Sequence, residues 1–326
     1  MRIGIVISGG DGAGINNFIF QIAKLIHAKI TLFDGGIIGL LEHRFRDVSY
    51  RDLLDFSVSP MPILSSGRTS RLLNKEEYQQ IYNVLKKKKI DILILAGGDG
   101  SLKFLSELSR FDINCFGIGM TIDNNVMGSE YTIGFSTACE QVLKEVAKIR
   151  NTGRALPHRV FMIEVLGANC GELTLHSAIK SSADFALIPE FQIPIDVLAK
   201  RVRQKSAIQN SVVILCSEAY SQEYTSGFQG AIHTVSEQLE PLINNRIRKS
   251  IIGFSLRNGE PTTEEIYQGT VMAAEVVRCI NSGMKNKIII INSSNKPIPI
   301  DLNGIMERTV DTDGHYFKLA KRLAII

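Results

Sequence analysis

The sequence lacks the spacings that would indicate a disulfide framework or a structural metal site. Its five cysteines lie far apart and none forms a Cys-x-x-Cys pair, which favours reduced, buried thiols. The six histidines show no metal-ligand spacing. No apolar run reaches transmembrane length, and Met1 leads directly into a strand-like run, so we expect neither a membrane span nor a signal peptide. We therefore expect a cytoplasmic protein with no membrane partner.

The sequence also has no strong excess of either charge. Its 37 Lys and Arg residues and 33 Asp and Glu residues give a net charge of +4 at pH 7. This balance is too weak to indicate a nucleic-acid partner, and it suits anionic small substrates equally well. With 326 residues, of which 44% are hydrophobic, the chain is long enough for a large core and one or two domains.

Short apolar runs alternate with helical patterns along the chain, and this order predicts parallel sheets with helices on both faces. We expect strands over residues 3–7, 30–33, 90–96, 115–118, 160–165, 185–188, 212–216 and, last, 288–291. We expect helices over residues 15–27, 74–87, 102–108, 136–150, 170–182, 195–206, about 228–240, 263–281 and 317–323. Residues 40–71 are expected to be loop-rich, and residues 151–158 to form a hinge. The pattern indicates an α/β fold of two doubly wound lobes with mainly parallel sheets.

The most informative stretch is the glycine-rich turn that follows the apolar run 90–96. Residues 97–101 read Gly-Gly-Asp-Gly-Ser, and a helical pattern follows them. A strand, a glycine turn and a helix N-terminus together can hold a phosphate, because glycine lets backbone amides approach an anion closely. Asp99 would repel phosphate unless a bridging Mg²⁺ lay between them. A plain tight turn is the alternative, and a second Gly-Gly-Asp turn at residues 9–11 weakens it.

A second acidic residue, Asp123, follows the next apolar run, residues 115–118. The carboxyl ends of adjacent parallel strands meet in one crevice. We therefore expect Asp99 and Asp123 to face a common site.

Several short segments occur together in a characteristic order. They read Ser-Gly-Gly-Asp at 8–11, Gly-Gly-Asp-Gly-Ser at 97–101, Thr-Ile-Asp-Asn at 121–124, Tyr-Thr-Ile-Gly-Phe at 131–135, Glu-Val-Leu-Gly at 164–167 and Cys-Gly-Glu-Leu-Thr-Leu at 170–175. In this combination the chain resembles the phosphofructokinase family, in its short bacterial form. The resemblance covers nearly the whole chain and implies phosphoryl transfer from ATP to the 1-hydroxyl of fructose 6-phosphate.

The resemblance implies a role for each matching residue. It places Gly10, Arg68, Gly98, Gly100 and Ser101 in the nucleotide site, with Asp99 holding Mg²⁺. It makes Asp123 the general base, with Thr121 beside the transferring phosphoryl group and Arg68 also in the catalytic group. It assigns the sugar phosphate, besides Thr121 and Asp123, to Glu218, the backbone at Leu166 and Gly167, and the arginines Arg159, Arg248 and Arg257.

The resemblance also implies domain organisation and assembly. It predicts a nucleotide lobe over residues 1–135 with returning segments at about 255–300, a sugar-phosphate lobe over 136–254, and a tail helix within 301–326. In the family, two of the phosphate-binding arginines, here Arg159 and Arg248, come from a neighbouring subunit. A homodimer or homotetramer is therefore expected.

Two positions bear on whether ATP or pyrophosphate is the phosphoryl donor. Pyrophosphate-dependent members usually carry an acidic residue where this chain has Gly100 and a lysine where it has Met120. Gly100 leaves room for a nucleotide phosphate, which favours ATP, whereas Met120 fits neither class.

Some positions depart from the family pattern. A second acidic residue is Asn125, an arginine is Ala168, a histidine is Phe254, a stacking tyrosine is Ile37, and an Asp-Arg pair is missing around Glu265 and Ile266. We expect low turnover with fructose 6-phosphate, and partial recovery on Asn125→Asp. The alternatives are a kinase with another sugar-phosphate-like acceptor, and a weakly active regulatory paralogue. An NAD-kinase-like function gives no place to residues 121–123 and 131–135.

Overall fold

The computed structural model describes residues 1–67, 73–220, 230–302 and 307–326. The chain divides into two compact units. The first contains Met1–Thr137 and Arg257–Arg308, and the second contains Ala138–Leu256 and Thr309–Ile326.

The first unit is built on a sheet that has seven strands among the residues described. In chain order they are β1 Arg2–Ser8, β2 Lys29–Phe33, β3 Phe45–Val48, β4 Ile92–Gly97, β5 Asn114–Gly119, β10 Lys287–Ile291 and β11 Pro297–Asp301. Across the sheet the order is β11, β10, β5, β4, β1, β2, β3. The five inner strands run parallel, and the two edge strands are antiparallel. Strand β4 is buried along its whole length, as its uninterrupted apolar run predicts.

The helices of the first unit follow the strands. They are α1 Ile15–Leu25, α2 Gly36–Leu41, α3 Tyr50–Leu53, α4 Lys75–Lys87, α5 Asp99–Ser109 and α10 Thr263–Asn281, and α6 Phe135–Ala155 begins there. Asn74 caps α4 by accepting from the Glu77 amide, and the Glu77 carboxylate accepts from the Asn74 amide in return. This reciprocal pair fixes the start of the helix.

One expectation for the first unit was incomplete and another was wrong. The described part of the loop-rich range, residues 40–67, also includes the end of α2, β3, α3 and a short 3₁₀ helix at Leu54–Phe56. Strand β10 is not the last strand, because β11 follows it. Proline lacks the amide hydrogen that a central strand needs, so Pro297 and Pro299 hide the strand pattern of β11 in the sequence. An antiparallel edge strand can contain prolines.

The second unit has a smaller sheet of parallel strands. They are β6 Arg159–Val165, β7 Phe185–Leu187, β8 Ser211–Ser217 and β9 Ile247–Ile251, in the order β7, β8, β6, β9. Its further helices are α7 Glu172–Ser181, α8 Ile195–Ser206, α9 Ala231–Ile243 and α11 His315–Arg322, with a 3₁₀ turn at Gly253–Leu256. The predicted α/β class with mainly parallel sheets is confirmed.

The expected hinge at residues 151–158 is mostly helix, because α6 continues to Ala155. A glycine in this segment suggested a loop, but Gly153 serves close packing. A Cβ on Gly153 would lie 2.5 Å from the Ser211 hydroxyl oxygen and 2.6 Å from its Cβ. Only glycine lets α6 approach the start of β8 this closely.

All five cysteines are buried free thiols. Burial raises the pKa of the Cys115 thiol to about 12, so this group stays protonated and unreactive. In the part of the chain that the structure describes, no helix combines the length and the apolar character needed to cross a bilayer.

Candidate active site

The glycine-rich turn joins β4 to α5, and Gly98 caps the helix that begins at Asp99. The amides of Ser101 and Leu102 donate to the Gly98 carbonyl at 3.1 and 3.0 Å. A Cβ built on Gly100 would meet nothing within 4 Å. The helix N-terminus therefore faces open space with the favourable dipole that anion binding uses.

The neighbouring glycines have a packing role. A Cβ on Gly97 would lie 2.6 Å from the Cβ of Ser101, and Gly9 has a φ of +96° with its Cβ position 3.1 Å from the Ser101 hydroxyl. Ser101, predicted to bind nucleotide, is itself buried between these turns. The sequence pattern predicts a phosphate-binding role for the whole turn, whereas in the structure Gly97 is needed for packing and Gly100 borders open space.

Asp99 lies in the first turn of α5, where a carboxylate complements the helix dipole. Its Oδ2 accepts a hydrogen bond from the Lys103 ammonium at 3.0 Å, and 31% of its side chain is exposed. An exposed pair of this kind adds little stability, so the carboxylate can exchange partners.

Asp123 is held in a tight turn after β5. The Thr121 hydroxyl donates to Asp123 Oδ2 at 3.1 Å and accepts from the Asp123 amide at 3.2 Å. Thr121 is buried, and its carbonyl accepts from the Thr132 hydroxyl at 2.6 Å. The structure brings the two predicted catalytic residues Thr121 and Asp123 into direct contact.

The turns that carry Asp99 and Asp123 follow adjacent parallel strands. Gly97 at the end of β4 pairs with Gly119 at the end of β5, and the Met120 amide donates to the Gly97 carbonyl at 2.9 Å. Strand β1, which leads to the Gly9–Gly10 turn, pairs with β4 on its other side. The turns after β1, β4 and β5 thus follow neighbouring strands at one edge of the sheet, which is where the expected common site of Asp99 and Asp123 would lie.

The residue after Asp123 has a strained backbone. Asn124 has a φ of +52°, a conformation that costs energy for a residue with a side chain. Its side chain is fully buried, donates to the Glu130 carbonyl and accepts from the Thr132 hydroxyl. Residues 124–132 therefore hold the Asp123 turn in one conformation.

The predicted residue Arg257 lies beside the first turn of this edge. Its Nη1 is 3.9 Å from Asp11 Oδ1 and would be 3.1 Å from a Cβ on Gly10. Both neighbours belong to the Gly-Gly-Asp turn that follows β1. Arg68, predicted to be catalytic and to bind nucleotide, lies outside the described residues.

In the second unit, the predicted sugar-binding residues Leu166, Gly167 and Glu218 meet at one edge of the sheet. Glu218 Oε1 accepts from the Gly167 amide at 2.9 Å and from the Ala168 amide at 2.7 Å. Its own amide donates to the Val165 carbonyl. Leu166 follows β6 directly, and Glu218 follows β8, so the contact again joins the carboxyl ends of neighbouring strands.

The predicted phosphate-binding arginines of this unit lie near the other ends of the strands. Arg159 is the first residue of β6, and Arg248 pairs with Phe161 of that strand. At about 3.3 Å per residue, they lie roughly 20 and 13 Å along the sheet from the last residue of β6. Arg248 Nη1 donates to the Arg246 carbonyl, in the direction away from Glu218. The structure does not bring either arginine to Glu218 within the unit.

Three of the residues that depart from the family pattern have different environments in the structure. Ile37, in place of a stacking tyrosine, is buried in the hydrophobic core of the first unit. Phe254 is 76% exposed. Ala168 has a φ of +50° and uses its amide to bind Glu218.

Sequence reasoning missed Glu265 as a structural carboxylate. It is fully buried and accepts from the amides of Gly134 and Thr137, at the start of α6, and from the Thr137 hydroxyl. Burial raises the pKa of this carboxyl to about 7. Thr262, three residues earlier, is a cap signal, but it could not show that the carboxylate reaches a helix 130 positions away.

Sequence reasoning also missed Glu307 and Arg308, which contact the turn after Asp123. The Asn125 amide group donates to Glu307 Oε1 at 2.7 Å, and the Arg308 guanidinium donates to the Asn124 carbonyl at 2.9 Å. More than 180 residues separate these partners in the sequence, and no local pattern marks them.

The residues at the sheet edge fit a Mg²⁺ ion that arrives with a phosphate ligand. Within the described ranges, no group of three or more His, Cys, Asp or Glu side chains could hold a metal. Mg²⁺ commonly keeps several waters and takes one or two carboxylates together with substrate phosphates. The partly exposed Asp99 beside the open space at Gly100 suits that arrangement.

Comparison with known proteins agrees with these features. The Phosphofructokinase family model matches residues 2–280. The ATP-dependent 6-phosphofructokinase of Clostridioides difficile (strain 630) is 28% identical over 328 residues, covering 99% of both chains.

Solved structures share the fold. The pyrophosphate-dependent phosphofructokinase of Nitrosospira multiformis aligns with a TM-score of 0.84 at 18% identity, covering 99% of this chain and 91% of that one. The phosphofructokinase of Saccharomyces cerevisiae aligns with a TM-score of 0.82 at 22% identity, covering 92% of this chain, which spans only 44% of the yeast chain. With a family match over most of its length and the site turns in place, the chain belongs to the phosphofructokinase family.

Proposed function

We propose that this protein is a 6-phosphofructokinase-type kinase that transfers the γ-phosphoryl group of ATP to the 1-hydroxyl of fructose 6-phosphate. The observation that carries the proposal is the pair of turns after β4 and β5. One presents a helix N-terminus and Asp99, and the other presents Asp123 held by Thr121. Phosphoryl transfer depends mainly on positioning and charge neutralisation, and this edge supplies both.

Asp123 acts as the general base in this proposal. Its carboxylate takes the proton from the sugar 1-hydroxyl, whose oxygen then forms the new bond to phosphorus as the bond to the departing ADP breaks. The Thr121 hydroxyl keeps the carboxylate oriented through the bond to Oδ2. A positioned base contributes about 10²–10⁴-fold to the rate.

Asp99 and the start of α5 bind the phosphates. The amides at the first turn of α5 and the open space at Gly100 accommodate them. Asp99 would hold Mg²⁺, which when bound neutralises phosphate charge. Gly10, Gly98, Ser101 and Arg68 belong to the same nucleotide site in this proposal.

ATP is the proposed donor. Gly100 leaves space that an acidic side chain would fill, and the Clostridioides difficile relative is named ATP-dependent. Met120 is 1% exposed and packs against the position of Gly12, so its side chain fills the interior of the turn.

Glu218, with the backbone at Leu166 and Gly167, binds the sugar hydroxyls, and Arg257 binds the 6-phosphate. Arg159 and Arg248 complete a neighbouring subunit's site in this proposal, as the family resemblance implies, and their distance along the sheet from the Glu218 edge of their own unit is compatible with that role. The proposed working form is a homodimer or homotetramer.

The test is a coupled assay that offers ATP and then pyrophosphate with a panel of sugar phosphates. We expect formation of fructose 1,6-bisphosphate with ATP and a slower or absent reaction with pyrophosphate. Faster turnover with pyrophosphate would contradict the donor assignment. Turnover of no sugar phosphate at all would contradict the kinase assignment.

A second candidate is a kinase of the same mechanism with a different sugar-phosphate-like acceptor. The exposed ring of Phe254 and the methyl group of Ala168 favour it. By the family resemblance, the first replaces a histidine of the sugar-phosphate pocket and the second an arginine that contacts the transferring phosphoryl group. The same panel decides between them: a higher kcat/KM on another acceptor than on fructose 6-phosphate selects this candidate.

A further inference from the structure

The segment that contains Glu307 and Arg308 contacts residues 124–126, directly after Asp123. Val126 and Glu307 form an antiparallel bridge. The Arg308 amide donates to the Asn125 carbonyl at 2.9 Å, and the Arg308 Nε donates to the Asn124 carbonyl at 2.9 Å. Two successive carbonyls of the turn are thus fixed by one residue from the C-terminal part of the chain.

The side chain of Asn125 completes this contact. Its Nδ2 donates to Glu307 Oε1 at 2.7 Å, and Asn125 is 5% exposed. A hydrogen bond to a carboxylate is shorter and stronger than one between neutral groups. The amide nitrogen can only donate and the carboxylate can only accept, so the pair has a defined direction.

The turn needs this support because its backbone is strained at Asn124, whose φ is +52°. Strained residues persist only where the surroundings over-determine them. Asp123 lies next to this strained residue and two positions before Asn125. A change that releases Asn125 would let the Asp123 carboxylate move.

We infer that Asn125 and Glu307 form a matched amide–carboxylate pair that positions the Asp123 turn, and that Glu307 carries the acidic group which the sequence pattern expects at position 125. Glu307 is a positioning residue, since it acts through Asn125 and the turn. The effect on turnover rests on the proposed kinase function, whereas the effect on the turn's conformation does not.

The inference reverses an expectation from the sequence. Asn125→Asp was expected to restore activity because it restores the usual acidic residue. In the structure it would place two carboxylates where a 2.7 Å hydrogen bond now stands. Two carboxylates at this distance repel each other, and because Glu307 is an exposed residue, the repulsion would release the contact to Asn125. The substitution is therefore expected to disturb the turn.

The test compares three variants with the parent: Asn125→Asp, Glu307→Gln, and the double variant Asn125→Asp/Glu307→Gln. The double variant exchanges the amide and the carboxylate between the two positions and keeps one of each. Asp301→Asn is the matched control, because Asp301 is an exposed carboxylate in β11 that accepts from Lys287 at 2.6 Å. Each protein is measured for thermal midpoint, for hydrogen exchange of the peptide covering residues 119–127, and for kcat and KM with ATP and the best acceptor.

We expect Asn125→Asp to lower kcat by about ten- to a hundredfold with little change in the KM for ATP, because misplacing a reacting group costs rate. Hydrogen exchange at residues 119–127 should accelerate in the same variant. The double variant should recover kcat to within about threefold of the parent, since paired residues act non-additively. Glu307→Gln alone, whose amide oxygen can still accept, should have a smaller effect than Asn125→Asp, and Asp301→Asn should change nothing.

Higher kcat in Asn125→Asp would overturn the inference, as would a double variant that is no better than Asn125→Asp. The variants could also change only the thermal midpoint and leave kcat and hydrogen exchange as in the parent. The pair would then have a structural role alone, and the inference would be overturned. If the parent turns over no sugar phosphate, the kinase proposal fails separately. The exchange data then decide: recovery of protection in the double variant supports the pair, and its absence refutes it.

Discussion

The two units place their candidate site residues differently relative to their sheets. In the first unit, Gly10, Asp99 and Asp123 all follow the carboxyl ends of neighbouring parallel strands. In the second unit, Glu218 lies at the carboxyl ends, whereas Arg159 and Arg248 lie toward the opposite ends. A parallel sheet gathers at one edge only those residues that follow its strands.

This difference places the candidate residues of the second unit at two separate locations on its sheet. The Glu218 edge is closed by hydrogen bonds from the amides of Gly167 and Ala168 within the same chain. Arg159 and Arg248 lie toward the other ends of the strands, where Arg248 donates to the Arg246 carbonyl. Under the proposed function, the first unit carries the phosphoryl-transfer residues on one edge, and the arginines of the second unit serve a neighbouring subunit.

The largest effect is expected from Asp123→Asn, which tests whether the first unit's edge is the reacting edge. The amide keeps the size of the side chain but cannot take a proton. Turnover should fall by about 10²–10⁴-fold, while ATP affinity from equilibrium binding stays near that of the parent. Asp91→Asn is the matched control, because Asp91 lies just before the opposite end of β4 and accepts from the Arg2 amide. If the Asp123 variant keeps turnover within a few-fold of the parent, Asp123 is not the base.

A smaller loss is expected from Gly100→Asp, which fills the open space at the start of α5. The new carboxylate repels the nucleotide phosphates and adds a second negative charge beside Asp99. We expect the kcat/KM for ATP to fall by at least about tenfold, which corresponds to about 1.4 kcal/mol. Gly100→Asn is the control, because it adds a side chain of the same size at the same position without the charge, and it should lower the kcat/KM for ATP less than Gly100→Asp does. An unchanged kcat/KM for ATP would contradict nucleotide binding at this turn.

The smallest effect on turnover concerns Glu265, which is expected to act on stability alone. Burial raises the pKa of this carboxyl from 4.5 to about 7, so the unfolded chain releases its proton at lower pH than the folded chain. The stabilisation is fully present below about pH 4.5 and is lost as pH rises through about 7, by an amount on the order of 3 kcal/mol.

Glu265→Gln removes this ionisation and should flatten the dependence of the unfolding free energy on pH between about 4.5 and 7. Chemical denaturation across this range measures it. Glu264→Gln, at the exposed neighbouring position, should leave the slope unchanged. If the pH dependence of the unfolding free energy is the same in Glu265→Gln as in the parent, another titrating group dominates this pH range.

The local parts of the candidate site could be predicted from the sequence. Asp99 and Asp123 each follow an apolar run and a turn signal, so their positions at neighbouring strand ends came from a few adjacent residues. The same holds for Glu218, which follows the buried strand β8. Because the strands are parallel, the turns that carry Asp99 and Asp123 lie at one edge of the first sheet, and Glu218 lies at the corresponding edge of the second.

The parts that depend on distant packing could not be predicted. Glu307 and Glu265 reach their partners across 182 and 131 positions of sequence, and nothing near either residue marks the contact. Gly153 indicated a loop, and the prolines of β11 left that strand without a strand pattern, because glycine and proline usually mark turns and loops. Their actual neighbours, Ser211 and the edge of β10, give them roles that only the fold defines.

Under the proposed function, a complete site combines the Glu218 edge of one chain with an arginine of another. Subunit complementation tests it most directly, with Arg248→Ala and Glu218→Gln as the two variants. The glutamine can still accept from Gly167 and Ala168 through its oxygen, so the loop should keep its shape. Each variant alone should lose most turnover, because each lacks one half of every site.

The measurement is the turnover of hybrid oligomers made by co-expressing the two variants with different tags and purifying on both. In a symmetric pair, one of the two sites regains both its glutamate and its arginine. We predict that doubly purified hybrids recover about half of the parent's turnover per oligomer, while each variant alone stays low. Hybrids that form but remain as inactive as the single variants would contradict the claim, as would full activity of Arg248→Ala alone.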